Sequence, residues 1–312
     1  MRWLDHREQL PESLRGAIVA LGNFDGFHLG HQEVAGEAIA WAREKGRPSI
    51  IATFDPHPVR HFKPDAPPFR LTTLEQRQEH YLAAGATAML VFHFDGELAG
   101  TTAEDFVRKL LGDHLGVAGV VTGEDFTFGK GREGKAPMLG TLASDLGLRG
   151  RIVRPVQSGD AVVSSSRIRE ALKSGNPQIA AKLLTRPFTI EGVVQHGAKE
   201  GRKLGFPTAN LDLGNYLRPA YGIYAVRGRL ADGRVLDGAA NVGIRPSYEP
   251  PVELLEPYFF QFSGDLYGQT IAVELHDFLR SEQKFDDLEA LKRQMAADCD
   301  EARARLADAP AG

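Results

Sequence analysis

The sequence contains a single cysteine, Cys299, in 312 residues. One thiol cannot form an intrachain disulfide, and without a CxxC pair no zinc knuckle can be assembled. Long apolar runs are also missing, because the longest (17–21 and 86–92) are far shorter than a bilayer-spanning helix requires. The first residues lack the apolar core of a signal peptide. We therefore expect a cytoplasmic protein that makes no membrane contact.

An excess of positive charge is missing as well. The chain has 37 Lys and Arg residues against 41 Asp and Glu, a net charge of −4. Nucleic-acid-binding domains usually carry a basic surplus, so we expect no nucleic-acid partner. The positive charge is concentrated locally, at 130–135, 167–169 and 202–203. Phosphate groups, if this chain handles them, are expected at such loops.

The pattern of apolar residues changes along the chain. Strand-like runs at 17–21, 49–54 and 88–94 are separated by helix-like segments, which predicts βαβ units and a parallel sheet. After Pro187 the runs are strand-like without a long helix between them, which predicts an antiparallel sheet or small barrel. A charged helix with an apolar stripe follows from 288 to about 306. We therefore predict an α/β chain with two domains, 1–184 and 185–312.

The first chemical motif is GNFDGFHLGH at 22–31, directly after the first strand. Ligands of open parallel sheets bind at the carboxyl ends of strands, and a helix start offers unpaired N–H groups to phosphate. His28 and His31 are three residues apart and suit the charge that develops on a transferred nucleotide phosphate. Two incidental histidines in a glycine-rich turn are the alternative. A second candidate clamp for polyphosphate is SSSRIR at 164–169, with Ser166 as the expected helix N-cap.

Another motif, GRKLGFPTANL at 201–211, opens the β-rich half. Glycines leave backbone amides accessible to a phosphate, and the side chains of Thr208 and Asn210 offer hard oxygen atoms for Mg²⁺. From the residues alone, a β-turn with a polar edge explains the string equally well.

Together these strings resemble the bacterial bifunctional riboflavin kinase/FMN adenylyltransferase (FAD synthetase) family. GNFDGFHLGHQ, TFDPHP (53–58) and GEDFTFG (123–129) resemble its adenylyltransferase half; 201–211, PAYGIYA (219–225) and NVGIRP (241–246) resemble its kinase half. The resemblance implies a Rossmann-like nucleotidyltransferase domain followed by an antiparallel β-barrel of riboflavin kinase type that ends in a long helix. It also implies that ATP, with Mg²⁺, converts riboflavin to FMN and then FMN to FAD with release of pyrophosphate.

The same resemblance implies roles for individual residues. The ATP-binding residues of the adenylyltransferase would be Gly22, Asn23, Phe24, His28, His31, Ser164, Ser165 and Arg167, with His28, His31 and Arg167 catalytic. The FMN-binding residues would be Asp55, Pro56, His57, Pro58, Asp125 and Phe128. In the kinase, ATP would meet Gly201, Lys203, Gly205, Pro207, Thr208 and Asn210, with Thr208 and Asn210 as metal ligands. Glu256 would be the catalytic carboxylate, with Glu253 as its rival.

The chain departs from the family pattern at Ser247-Tyr248 and at Pro257-Tyr258, which bears on flavin contacts. Three functional alternatives remain open: one live activity, another phosphate acceptor at the first site, or a catalytically silent flavin-binding module. We expect a monomer or weak homo-oligomer whose partners are small molecules (riboflavin, FMN and ATP).

Overall fold

The computed structural model describes residues 2–145, 147–197, 201, 205–245 and 251–307. The chain divides into two compact units, and each has its own six-stranded sheet. The first unit comprises residues 1–67 and 72–164, and the second comprises 68–71 and everything from residue 165 onward.

The first unit is built on a parallel sheet. Its strands are β1 (Arg2–Asp5), β2 (Ile18–Leu21), β3 (Ser49–Asp55), β4 (Ala88–His93), β5 (Gly119–Gly123), β6 (Thr127–Phe128), β7 (Gly134–Lys135), β8 (Arg149–Val153), β9 (Gln157–Ser158) and β10 (Ala161–Val162). The six main strands lie in the order β1-β4-β3-β2-β5-β8, all parallel. From β2 the chain adds β3 and β4 on one side of that strand, and it then adds β5 and β8 on the other side. The strand order therefore reverses at β2. Such a reversal opens a ligand-binding crevice at the carboxyl ends of the strands.

Helices cover both faces of this sheet, which is why its strands read as continuous apolar runs. They are α1 (Leu29–Glu44), α2 (Pro58–Phe62), α3 (Leu74–Ala83), α4 (Gly96–Gly100), α5 (Ala103–Asp105) and α6 (Ala136–Asp145), with a π-helix at Phe106–His114 and 3₁₀ turns at Glu12–Leu14 and Lys130–Arg132. Residues typical of helix N-termini begin two of these helices. Helix α3 begins with a capping box between Thr73 and Gln76, and α2 begins with Pro58.

The second unit is an antiparallel, nearly closed barrel. Its elements are α7 (Ser165–Lys173), α8 (Pro177–Leu184), β11 (Phe188–Val193), β12 (Leu211–Asp212), β13 (Gly222–Leu230), β14 (Val235–Arg245), β15 (Val252–Phe259), β16 (Thr270–Ser281) and α9 (Leu288–Ala307). The strand order is β11-β16-β13-β14-β15-β12. A bridge between Gln195 and Asn210 brings the two ends of the sheet together. The predicted parallel sheet, antiparallel barrel and terminal helix are all confirmed.

The contacts group α7 and α8 with the second unit, and the domain boundary between 184 and 185 stays a prediction. The reason for this grouping is packing, since the amide of Ala220 donates to Leu172 O at 2.9 Å and Gln178 bonds to Asp277. Helix α7 also begins at Ser165, so the expected N-cap residue, Ser166, lies inside the first turn.

Candidate active sites

The loop between β2 and α1 lies where the strand order of the first unit reverses. His28 is the N-cap of α1, and its Nδ1 accepts a hydrogen bond from the amide of His31 at 3.4 Å. The two imidazole rings stack with their centroids 3.6 Å apart. Because Nδ1 accepts, a neutral His28 carries its proton on Nε2 and can donate it elsewhere. The loop therefore places two imidazoles beside the open N–H groups of a helix start, which suits an anion.

Glycine at position 30 permits this arrangement, since a Cβ there would lie 3.3 Å from the His28 ring. The loop backbone is unusual too, because Phe24 and Phe27 have positive φ angles of 48° and 40°. Side-chain-bearing residues rarely adopt that region, at a cost of roughly 1–2 kcal/mol each. Phe24 is buried, and its ring meets that of His31 edge-on at 5.3 Å. Its side chain thus supports the histidine.

The buried guanidinium of Arg77 is hydrogen-bonded to the loop between β2 and α1. Arg77 of α3 is fully buried and donates to Asn23 O at 3.3 Å, to the Thr53 hydroxyl at 2.9 Å and to Thr72 O at 3.4 Å. Thr72 in turn donates through its amide to Asp25 at 3.1 Å. Sequence reasoning missed Arg77, because an arginine in a charged helix normally points to solvent.

The other predicted residues of the first unit follow neighbouring strands. Asp55 ends β3 and residues 56–58 follow it, and Asp125 follows β5, so both segments flank the loop after β2 in the strand order. His57 caps α2 through its Nδ1, while Asp125 is exposed. Phe128 is buried in the core, with its ring 5.9 Å from that of Phe126.

The serine-arginine motif is split between the two units. Ser164 ends the first unit, whereas Ser165 and Arg167 stand in the first turn of α7 in the second. Their convergence on His28 and His31 stays a prediction.

In the second unit, four predicted kinase residues line one cavity of about 700 Å³: Gly201, Thr208, Asn210 and Glu256. Gly205 and Pro207 are exposed in the same loop and do not line it. Lys203 lies outside the described residues, as do Ser247 and Tyr248.

In the loop that carries Thr208 and Asn210, the backbones of Gly201 and Phe206 approach each other closely. The amide of Phe206 donates to Gly201 O at 2.8 Å, and a Cβ at Gly201 would lie 2.4 Å from Phe206 O. Only glycine fits there. The amide of Ala209 then donates to Pro257 O at 2.9 Å, which ties the loop to β15. Proline at 257 is compatible with this contact because the bond uses its carbonyl.

The register of β15 separates the two candidate glutamates. Glu256 lies opposite Asn241 of β14 and lines the cavity. Glu253 does not line it and instead accepts from Arg218 Nε at 2.7 Å and from the Tyr221 hydroxyl. Burial raises the pKa of the Glu253 carboxyl, but these two hydrogen bonds outweigh it and hold that pKa below its usual range. The geometry therefore favours Glu256 over Glu253 as the reacting carboxylate.

The remaining cavity wall is partly apolar and partly charged. Helix α9, strand β15 and the loops contribute the apolar side: Phe206, Tyr258, Phe285, Leu291, Met295 and Cys299. Tyr258, one of the departures from the family pattern, meets Phe206 edge-on with ring centroids 5.4 Å apart. The charged side includes Arg245, Glu282 and a paired Arg280 and Asp298, bonded at 2.8 and 2.6 Å. Sequence reasoning missed Arg245, Glu282 and Asp298 as site residues, because their convergence depends on how three distant segments pack.

Comparison with known proteins matches both halves. The FAD synthetase family model matches residues 10–167, and the riboflavin kinase model matches residues 184–306. The bifunctional riboflavin kinase/FMN adenylyltransferase of Escherichia coli K12 is 35% identical over 298 residues, covering 96% of this chain and 95% of that protein. Its Bacillus subtilis counterpart is 38% identical, covering 94% and 93%. The chain belongs to this bifunctional family.

One solved structure is similar to this family member over nearly its whole length. It is described as a macrolide-efflux protein from Streptococcus pneumoniae, with a TM-score of 0.87 and 29% identity, covering 97% of this chain and 99% of that chain. Among the described residues, no helix is both long and apolar enough to cross a membrane.

Replacing the buried Arg77 by methionine tests the clamp beneath the first loop. Arg77→Met removes one donor from each of three oxygen acceptors, of which Asn23 O keeps the Thr53 hydroxyl at 2.7 Å, so we expect the local opening free energy of residues 22–26 to fall by about 3 kcal/mol. Amide hydrogen exchange followed by mass spectrometry measures this loss. Arg108→Met removes an exposed ion pair to Glu104 and serves as the control, with an expected change below about 0.5 kcal/mol. Equal protection of residues 22–26 in both variants would contradict the assignment.

The single thiol reports on the cavity of the second unit. Burial raises the pKa of Cys299 to about 11. The reactive thiolate is then scarce at neutral pH, so labelling by a disulfide reagent should accelerate about tenfold per pH unit from about pH 7 to about pH 10. Labelling of the native chain, with Cys299→Ser as the blank, gives the profile. A plateau near the ordinary thiol pKa would show that Cys299 is not buried as described.

Proposed function

We propose that the second unit transfers the γ-phosphoryl group of ATP to riboflavin, giving FMN and ADP. We propose further that the first unit transfers the adenylyl group of a second ATP to FMN, giving FAD and pyrophosphate. Family membership makes the chain a transferase. The observation that carries the proposal is that Gly201, Thr208, Asn210 and Glu256 line one cavity opposite an apolar wall.

The cavity suits a substrate with one flat apolar part and one polar part. Its volume of about 700 Å³ is typical of small-molecule sites. The aromatic and aliphatic wall can cover an isoalloxazine ring, while the ribityl chain would extend to Glu256. Riboflavin presents a neutral hydroxyl as nucleophile, and a positioned carboxylate can take the proton from it as the phosphoryl group arrives.

The donor atoms at the loop fit Mg²⁺. Thr208 and Asn210 offer neutral oxygen atoms, and Asn241 Oδ1 in the same cavity is buried without a hydrogen-bond partner among the described residues. No cluster of three or more His, Cys, Asp or Glu side chains within the described ranges could hold a metal. A sparse neutral donor set suits Mg²⁺, which keeps waters and phosphate oxygens as ligands. Thr208 and Asn210 would hold the ion, which neutralises phosphate charge when bound.

The first site needs no catalytic carboxylate. The nucleophile is the phosphate of FMN, whose second pKa of about 6 leaves it largely ionised at neutral pH. Positioning and charge stabilisation then carry the reaction. His28 and His31 at the start of α1 would stabilise the phosphate of ATP at which substitution occurs, and ATP binding by Ser164, Ser165 and Arg167 stays a prediction.

A catalytically silent flavin-binding module is the rival from a different class. Incubation with riboflavin, ATP and Mg²⁺, followed by separation of the flavins, distinguishes the two, because a binding module yields neither FMN nor FAD. Supplying FMN in place of riboflavin separates a bifunctional enzyme from one with a single live activity. The cytoplasmic location and the monomeric or weakly oligomeric state remain predictions.

Glu256→Gln removes the proposed base while keeping its shape. We expect FMN formation to fall by roughly 10²–10⁴-fold, since general-base catalysis contributes about that factor. FAD formation from supplied FMN should persist, because that reaction is proposed for the first unit. Glu253→Gln, a neighbouring glutamate outside the cavity, is the matched control and should retain FMN formation. If the two glutamine variants exchanged these results, Glu253 would be the base.

His31→Ala tests the first site, where FAD formation should fall while FMN formation persists. Loss of one group that stabilises the transferred phosphate should lower FAD formation by roughly 10²–10³-fold. The kinase step from riboflavin should be unchanged in the same preparation. His93→Ala, at the exposed end of β4, is the control histidine and should leave both rates unaltered. Normal FAD synthesis by His31→Ala would remove His31 from the mechanism.

A further inference from the structure

The cavity of the second unit contains one arginine that two glutamates share. A terminal nitrogen of Arg245 contacts Oε2 of Glu256, and its other terminal nitrogen lies 3.7 Å from Oε1 of Glu282. Oε1 of Glu282 also accepts from Asn241 Nδ2 at 3.2 Å. Three strands supply this group, because Arg245 ends β14, Glu256 belongs to β15 and Glu282 directly follows β16.

A glycine makes room for the second glutamate. Asn241, Gly243 and Arg245 alternate along β14 and therefore share a face. A Cβ at Gly243 would lie 2.2 Å from Oε1 of Glu282, so the carboxylate occupies the space that a side chain would fill. Because the backbone of Gly243 is not in the left-handed region, the position tolerates alanine conformationally. The missing side chain is thus what admits Glu282 to the site.

The other charged groups of the cavity have different partners. Arg280 and Asp298 form a two-bond pair with each other, and Asp287 accepts from the amide of Ala290 at 2.7 Å. Of the carboxylates that line the cavity, Glu256 and Glu282 form ion pairs with Arg245.

An arginine and a carboxylate that have no other partners often form a two-bond pair, in which two parallel N–H···O bonds engage both carboxylate oxygen atoms. This arrangement is called a fork below. A general base held in that way has both oxygen atoms bonded to a cation, so each of them takes up a proton less readily. We propose that Glu282 is a positioning residue for the kinase: by holding one end of the Arg245 guanidinium, it prevents the fork and keeps an oxygen of Glu256 available to the substrate hydroxyl. This inference rests on the proposed role of Glu256 as base.

Steady-state kinetics of FMN formation tests the proposal. Glu282→Gln keeps the size of the side chain but removes its charge, which should let Arg245 close on Glu256. We expect kcat to fall about tenfold, a part of what a general base contributes, while KM for ATP and for riboflavin stays within about twofold. Glu289→Gln removes an exposed charge from α9 as the control and should leave kcat unchanged.

Two further variants address the mechanism. Lysine cannot form a planar fork, so in an Arg245→Lys background Glu282→Gln should cost less than about twofold in kcat. Gly243→Ala should reproduce the Glu282→Gln loss, because the new methyl group displaces the partly exposed Glu282 carboxylate without changing any charge.

The inference is overturned if Glu282→Gln leaves kcat within twofold of the parent chain. It is also overturned if the loss is equally large with lysine at 245, or if Gly243→Ala has no effect. FAD formation from supplied FMN is measured for each variant, and a parallel loss there would assign the defect to folding. Failure of the proposed function looks different, because then Glu256→Gln itself keeps making FMN, whatever Glu282→Gln does.

Discussion

The register between β14 and β15 decides the chemistry of the second unit. With Asn241 opposite Glu256, one face of the two strands carries Asn241, Gly243, Arg245 and Glu256 together. A slip of one residue would turn Glu256 outward and bring its neighbours to the cavity instead, because side chains alternate strictly along a strand. The bond from Ala209 to Pro257 O connects the same strand to the loop of Thr208 and Asn210. Proposed base and metal ligands are thus placed by one strand pair and the backbone attached to it.

In the first unit, the constraint is the strained backbone of the loop between β2 and α1. Positive φ angles at Phe24 and Phe27 cost free energy, and the surrounding contacts must compensate. Arg77 supplies three hydrogen bonds from a fully buried position, and Thr72 adds bonds to Asp25 and to the amide of Gly26. The interior thereby fixes the backbone, so the helix start and the two imidazoles remain available to a ligand.

The features that the sequence predicts are those that depend on neighbouring residues, namely the secondary structure and the short motifs. The βα alternation and the change of period after Pro187 predicted the two kinds of sheet, and the string at 22–31 lies between a strand and a helix as predicted. What the sequence missed depends on packing. Nothing in the sequence indicates that Arg77 points inward, that Phe24 supports His31, or that Glu282 fills the space above Gly243. The predicted domain boundary follows the change of period near Pro187, whereas the grouping of α7 and α8 with the barrel follows from their contacts.

The two sites differ in the way their nucleophiles require. A hydroxyl must lose a proton, and the second unit holds Glu256 in a cavity where a shared arginine offsets the cost of burying its charge. A phosphate arrives already ionised, and a carboxylate beside it would repel it. The loop after β2 carries two histidines and backbone N–H groups at the start of α1, while its one carboxylate, Asp25, is buried and bonded to Thr72. The net charge of −4 is therefore compatible with an anion site at this loop, because a bound anion meets the local charge and not the net charge of the chain.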